Sequence, residues 1–152
     1  MILESFERSF YLRRKDNHRS VVMNTTEFTY KLQSDKAFDD VVENLKKQAA
    51  EHSFRVLAIH DVQNTLKEKG IERGPLKIIE VCNAGFAHQA TQQEVGVAIF
   101  MPCRFSVHTE SNKTFVTLGR PGMIATMFPE AGLDQLASEV ETTLKSIMEA
   151  SV

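Results

Sequence analysis

The order of apolar and polar positions along the chain predicts alternating strands and helices. TTEFTYKLQ (25–33) alternates apolar and polar residues, as a half-buried strand does. From Phe38 to Ala49, apolar residues recur at i, i+3, i+4, i+7 and i+11, which predicts one apolar stripe on a helix. FRVLAIH (54–60) is short and mostly apolar, so it is predicted to be a strand buried on both faces.

The middle of the chain continues this alternation, with recognisable helix starts. Asp61 is predicted to cap a short helix that ends near Gly70. LKIIEVC (76–82) then forms a strand, and Asn83 begins a helix that continues to about Gln93.

The last third of the chain predicts a strand hairpin and a long helix. VAIFMPCRFSVHT (97–109) is predicted to be one strand, with Pro102 at a bulge or on an edge because proline donates no ladder hydrogen bond. FVTLG (115–119) is predicted to return antiparallel to it. An apolar stripe over 133–148 predicts the final helix.

The predicted order is strand, helix, strand, helix, strand, helix, strand, strand, helix. It indicates an α/β (α+β) fold of two layers, with a mixed sheet of about five strands and helices mainly on one face. We expect one domain over residues 25–152 and an N-terminal extension over 1–24.

The extension carries a narrow apolar stripe of Leu3, Phe6 and Phe10, followed by basic residues. A short helix that docks on the domain or on a partner subunit is the favoured interpretation, and a surface-binding basic helix is the alternative. The extension has no apolar core of the kind found in signal peptides.

Composition excludes several classes of partner. Eighteen Lys and Arg against twenty Asp and Glu give a net charge of −2, and the chain has no Trp, so neither nucleic acid nor a membrane surface is an expected partner. No apolar run approaches the roughly 20 residues that span a bilayer. Two cysteines without a secretory signal predict reduced thiols and a cytoplasmic location.

The common catalytic and cofactor motifs are absent from the sequence: no phosphate-binding loop, dinucleotide fingerprint, zincin helix, C-x-x-C pair or nucleophile elbow occurs. The cofactor is therefore unknown, no metal ligand set is assigned, and whether the protein is an enzyme stays uncertain.

Cys82 is the strongest candidate for chemistry. If Asn83 caps the helix, Cys82 lies against the helix N-terminus, where the macrodipole lowers a thiol pKa. His88 follows on the same helix and would complete a nucleophile–base pair or half a metal site. In the competing interpretation, Cys82 is a packed small residue and His88 a surface histidine.

Cys103 is predicted to lie on the core face of its strand. A buried thiol that only fills the core is enough to explain a cysteine at this position. If that face meets Cys82, then Cys82, His88 and Cys103 would supply three ligands and leave one open position, as in a catalytic zinc site. Their spacing matches no standard metal motif. The candidate pocket therefore comprises Cys82, Asn83, His88 and Cys103.

Three blocks resemble the bacterial and archaeal family called domain of unknown function 302: DVQNTLKEKGI (61–71), VCNAGFAHQA (81–90) and the Pro102-Cys103 pair. The resemblance runs from Phe28 to about Val140. It implies a compact, dimeric α/β domain with a mixed sheet and implies no activity, because the family's function is not established.

The family's recurrent Cys-Asn, Ala-His and Pro-Cys elements fall on Cys82-Asn83, Ala87-His88 and Pro102-Cys103. The chain departs from the family pattern at Ala84, where proline is usual and would favour the helix start. It also departs at Arg120, where the family more commonly has an acidic residue.

The sequence is compatible with three functions. The favoured one is a cytoplasmic homodimer that binds a small ligand or a partner near Cys82. The alternative is a thiol- or metal-dependent enzyme or redox protein that uses Cys82, His88 and, in one version, Cys103. The third is a purely structural or assembly protein, in which Cys82→Ala changes only stability.

Overall fold

The computed structural model describes residues 23–152, and the predicted docking helix of the extension lies outside them. The elements follow one another along the chain. The strands are β1 (Met23–Thr25), β2 (Thr29–Ser34), β3 (Arg55–Asp61), β4 (Leu76–Cys82), β5 (Cys103–Glu110) and β6 (Lys113–Gly119). The helices are α1 (Phe38–Glu51), α2 (Val62–Lys67), α3 (Ala84–Gln93), α4 (Gly122–Met127) and α5 (Asp134–Ser151), with 3-10 helices at Val95–Phe100 and Pro129–Ala131.

The strands form one sheet in the order β1-β2-β6-β5-β4-β3. Helices pack on one side of it, so the predicted α/β class and two-layer arrangement are confirmed. Every pairing among the described strands is antiparallel. The parallel pairing expected of a mixed sheet is therefore not observed.

The connection through α1 explains this difference. Strands β2 and β3 run in the same direction, as a strand–helix–strand unit requires, but β6, β5 and β4 lie between them. The alternation of strands and helices thus predicted their relative direction correctly and their adjacency wrongly. The six-residue α2 and the longer α3 each join strands that are antiparallel neighbours.

The core lies between the sheet and the layer formed by α1 and α5. The two helices contact each other, and α5 also contacts β2 and β6. Alternate residues of each inner strand face the helices and are buried, because side chains along a strand alternate between its two faces. The largest fully buried side chains are Phe105, Leu32, Leu45, Ile79, Leu118, Leu144, Ile147 and Met148.

Two predicted strands differ from the structure. The segment predicted to be buried on both faces is the edge strand β3, where Leu57 is 51% exposed at a register shift and Ile59 is 39% exposed. The predicted strand over 97–109 begins only at Cys103, and a 3-10 helix occupies most of the segment before it. Pro102 precedes the strand, where its missing N–H removes no ladder bond.

The predicted N-caps at Asp61 and Asn83 are confirmed. The Asp61 side chain accepts a hydrogen bond from the Asn64 N–H, and the Asn83 side chain accepts one from the Phe86 N–H. Strand β4 has the predicted bounds. Among the described residues, no helix is long and apolar enough to cross a bilayer.

Candidate functional site

An apolar cavity of about 80 Å³ lies at one end of the sheet, beneath α3 and α5. We call it the α3–α5 cavity. Its lining is almost entirely hydrocarbon and sulfur and contains no charged side chain. The lining residues are Phe54, Val81, Cys82, Asn83, Phe86, Ala87, Ala90, Val97, Met101, Pro102, Cys103, Pro121, Ile124, Leu133, Leu136, Ala137 and Val140.

The antiparallel register brings the two cysteines to this end of the sheet. Cys82 is the last residue of β4 and Cys103 is the first of β5. Val81 lies directly opposite Cys103, so Cys82 follows at the next position of β4, where the side chain alternates to the other face of the strand. Both residues are among those that line the cavity.

Asn83 fixes the start of α3 above the cavity. Its Oδ1 accepts a hydrogen bond of 3.0 Å from the Phe86 N–H, and its Nδ2 donates one of 3.1 Å to the Ser53 carbonyl. The Phe86 ring then packs against Phe54, with 6.0 Å between ring centroids. One amide side chain thus ties the helix to the turn before β3.

The electrostatics of Cys82 differ from the prediction. Partial burial raises the pKa of the Cys82 thiol, whereas the helix N-terminus was expected to lower it. Asn83 accounts for the difference in part, because its side chain occupies the Phe86 N–H that would otherwise favour a thiolate. Burial therefore disfavours the thiolate form of Cys82.

Cys103 is even less acidic. Burial, reinforced by its interaction with Cys82, raises the pKa of the Cys103 thiol to about 11, although Arg104 acts in the opposite direction. Both are free thiols and both line the cavity.

The structure does not bring His88 to this site. His88 lies on the exposed side of α3 and is not among the residues that line the cavity. Within residues 23–152, no group of three or more His, Cys, Asp and Glu side chains is placed to hold a metal ion. The three-ligand zinc arrangement of Cys82, His88 and Cys103 is therefore not assembled.

A buried carboxylate holds the wall of the cavity opposite the cysteines. Pro121 and Ile124 belong to this wall, and Glu141 of α5 secures the segment that contains them. Glu141 accepts hydrogen bonds from Arg120 Nε at 2.8 Å and from the Gly122 N–H at 2.9 Å. Sequence reasoning missed Glu141, although an acid beside Val140 in an apolar helix stripe was a usable signal.

Exposed apolar side chains lie on segments that also supply lining residues to the cavity. Ile99 is 79% exposed and Val95 is 74% exposed on the 3-10 helix that also supplies Val97 to the lining. Met127 is exposed on α4, which supplies Ile124. We call Val95, Ile99, Phe100 and Met127 the apolar rim.

The fold agrees with that of known relatives. The model of the family described as domain of unknown function DUF302 matches residues 30–151. The chain belongs to this family. A crystal structure of an uncharacterized conserved DUF302 protein from Bacillus stearothermophilus is 26% identical to it, with a TM-score of 0.79. The match covers 84% of this chain and 100% of that one.

No curated protein matches the chain. DUF302 membership confirms the resemblance identified from Cys82-Asn83, Ala87-His88 and Pro102-Cys103, and it assigns no activity.

Proposed function

We propose that the domain binds a small, uncharged, mainly apolar molecule in the α3–α5 cavity. The observation that carries the proposal is the combination of an apolar lining with an apolar rim at the same end of the sheet. Ligand sites are typically concave, mostly apolar and formed where several elements meet. Here strand ends, α3, α4 and α5 all contribute.

The lining argues against a charged ligand. The raised thiol pKa values of Cys82 and Cys103 mean that both groups are neutral at pH 7 and offer no fixed charge. The Asn83 amide is already engaged with Phe86 and Ser53. A charged group inserted here would lose its hydration without gaining a partner, which costs several kcal/mol.

The volume argues for a slender ligand. An apolar cavity of roughly 150 Å³ accommodates benzene, and this cavity is smaller, at about 80 Å³. A short hydrocarbon chain fits that space better than a ring system. The remainder of a longer molecule would then lie against the exposed Ile99 and Met127 of the apolar rim.

A series of linear alkanols tests the proposal by titration against amide spectra of the labelled protein. Each added methylene should strengthen binding by about 0.8 kcal/mol, or roughly fourfold, until the chain outgrows the cavity. The shifted amides should belong to α3, α5 and the start of β5. Shifts spread over unrelated surfaces, or none at all, would reject the proposal.

A cavity-filling variant gives a sharper control. Ala90→Leu adds three carbons to a lining residue of α3 and should abolish alkanol binding. Ala150→Leu adds the same atoms to an exposed position of α5. Equal affinity in the two variants, with both folded by circular dichroism, would place the binding elsewhere.

We also propose that the protein acts as a homodimer in the cytoplasm. Exposed Leu57 and Ile59 on the edge strand β3 support the dimer, because open strand edges with apolar side chains favour pairing with another chain. Two free cysteines support the reducing compartment.

A further inference from the structure

We propose that the open face of the sheet, the side opposite α1 and α5, binds the phosphate group of a small organic phosphate. The site, which we call the open-face cluster, comprises Lys31, Arg73, Ser106, His108, Phe115 and Thr117. Its strand residues lie on the open face because their neighbours Leu32, Val107 and Val116 are fully buried on the helix side. The inference does not rest on the α3–α5 cavity, since His108 lies five residues along β5 from Cys103, roughly 17 Å away.

A stacked pair of rings holds one cation of the cluster in place. His108 of β5 lies opposite Phe115 of β6, and the two ring centroids are 5.4 Å apart. Lys31 of β2 lies over the same Phe115 ring, with its Nζ 4.4 Å from the centroid. The Lys31 amino group is therefore already positioned on the face, and an anion that binds it orders little additional side chain.

The positive charges of the cluster are not neutralised within the described part of the chain. Neither Lys31 nor Arg73 forms an ion pair with a carboxylate of residues 23–152. Burial lowers the pKa of His108, and Lys31 and Arg73 lower it further, whereas Glu110 acts in the opposite direction. Two uncompensated cations thus act on one imidazole, and an anion placed beside that ring would be attracted by both.

Two hydroxyl groups supply further donors. Ser106 lies opposite Thr117, and Thr117 lies opposite Lys31 in the next strand pair. His108 follows Ser106 by two residues, so it is on the same face of β5. Neither hydroxyl is engaged in a hydrogen bond with another group of residues 23–152. Both can therefore donate to an anion bound between Lys31 and His108.

This set of donors favours phosphate over carboxylate. A phosphate monoester carries a charge of about −1.5 to −2 at pH 7 and three acceptor oxygens. That charge matches the two cations Lys31 and Arg73, whereas a carboxylate would balance only one of them. The net charge of −2 on the whole chain provides no long-range attraction for a polyanion, so a small phosphate is the favoured ligand.

Titration of the isotope-labelled full chain with phenyl phosphate, at constant ionic strength, tests the inference by NMR. The ring signals of His108 should shift to saturation, and the pKa of His108 should rise in the complex because a nearby anion favours the imidazolium. Phenol and benzoate are the matched probes, since phenol carries no charge and benzoate carries one. Benzoate that binds as tightly as phenyl phosphate, or phenol that shifts the same signals, would overturn the inference.

Lys31→Gln should weaken phenyl phosphate binding by about tenfold, because one charge-assisted hydrogen bond is lost. Lys77→Gln is the matched control. Lys77 also extends from a strand over a ring, that of Phe38 at 5.3 Å, but it lies on the helix side, where Asp39 pairs with it at 3.3 Å. An equal loss in the two variants would reduce the binding to general charge attraction and overturn the site.

Thr117→Val replaces a hydroxyl by a methyl group of similar size and should weaken phenyl phosphate binding by about fivefold. Thr142→Val is the control, because Thr142 is exposed on α5 and its hydroxyl donates to the Ser138 carbonyl at 2.8 Å. Both variants should keep the circular dichroism of the wild-type protein. An affinity of Thr117→Val equal to that of the control would contradict the placement of the phosphate on the open face.

Discussion

Glu141 shows how much one residue can organise in this domain. It is only 7% exposed, yet it accepts hydrogen bonds from Arg120 and Gly122. It also forms an ion pair with Lys145 at 2.7 Å. Burial alone would raise the pKa of Glu141, but hydrogen bonds from Lys145, Gly122 and Arg120 outweigh burial and hold that pKa below its usual range. The ionised carboxylate therefore secures the α4 side of the cavity to α5.

Replacing Glu141 by Gln should destabilise the protein by about 1–3 kcal/mol, because the buried amide cannot satisfy two cations and a backbone N–H equally well. Urea unfolding at pH 7 measures the change. Glu139→Gln is the control, since Glu139 is exposed on the same helix. A loss no larger than that of the control would show that the Glu141 contacts contribute nothing to stability.

The depressed pKa of Glu141 also predicts a pH dependence. Its folded-state pKa lies below the unfolded value of about 4.5, so its contribution is present above that value and disappears as pH falls through the folded-state pKa. The wild-type and Glu141→Gln proteins should therefore converge in unfolding free energy on acidification below pH 4.5. A constant difference down to pH 3 would contradict this assignment.

At the scale of elements, the start of α3 decides the shape of the cavity. Asn83 caps α3 and also bonds the Ser53 carbonyl, so the helix and the turn before β3 are held together. Phe86 and Ala87, both in the first turns of α3, line the cavity. Loss of this cap would allow the first turn to fray into the space that a ligand needs.

Asn83→Ala should cost about 1 kcal/mol of stability through the lost cap. Asp61→Ala removes the comparable cap of α2, which contributes no residue to the cavity. Both variants should lower the melting temperature, but only Asn83→Ala should also weaken alkanol binding. Equal alkanol affinity in the two variants would show that the Asn83 cap does not contribute to the binding site.

The sequence predicts the helices of this fold better than its strand order. Periodic stripes located α1 and α5, and Asp61 and Asn83 located two helix starts, because these signals act within a few residues. The edge position of β3 was not predictable from FRVLAIH. An apolar run indicates that a segment is buried but not which element buries it, and Leu57 lies at a register shift.

The candidate site was predicted only in part. Cys82, Asn83 and Cys103 line one cavity because β4 and β5 are neighbours in the sheet, a pairing that the sequence pattern left open. His88 points to the exposed side of α3, which depends on how that helix is rotated on the sheet. The raised thiol pKa of Cys82 depends on burial of the side chain in the folded protein, which residue spacing along the sequence does not reveal.

For the whole molecule, the face of the sheet that carries no helices is largely polar. On it, Glu80 pairs with Arg104 at 3.0 Å and with His60 at 3.5 Å. Exposed apolar side chains lie instead at the edge of the sheet, on Leu57 and Ile59 of β3. Among the described strands, β3 pairs only with β4. The proposed dimer therefore uses the β3 edge and not the open face.

Light scattering after size exclusion should give twice the chain mass of 17.2 kDa for the wild-type protein. Leu57→Asp places a charge at the β3 edge and should shift the protein towards monomer by at least tenfold in dissociation constant, about 1.4 kcal/mol. Val95→Asp places the same charge on the apolar rim and should leave the dimer intact. A monomeric wild-type protein at all concentrations would reject the dimer.

The strand order has a consequence for synthesis of the chain. In the register of β2 with β6, Thr29 lies opposite Gly119 and Ser34 opposite Thr114. When β2 leaves the ribosome, its main neighbour β6 has not yet been translated. Leu32, which is buried in the folded protein, therefore stays exposed until β6 is made. The local β5–β6 hairpin can form first, since closing a short loop is fast and long-range pairing is slow. A nascent chain arrested before β6 should therefore expose the apolar faces of β2 and α1. Chaperones would bind the protein at that stage.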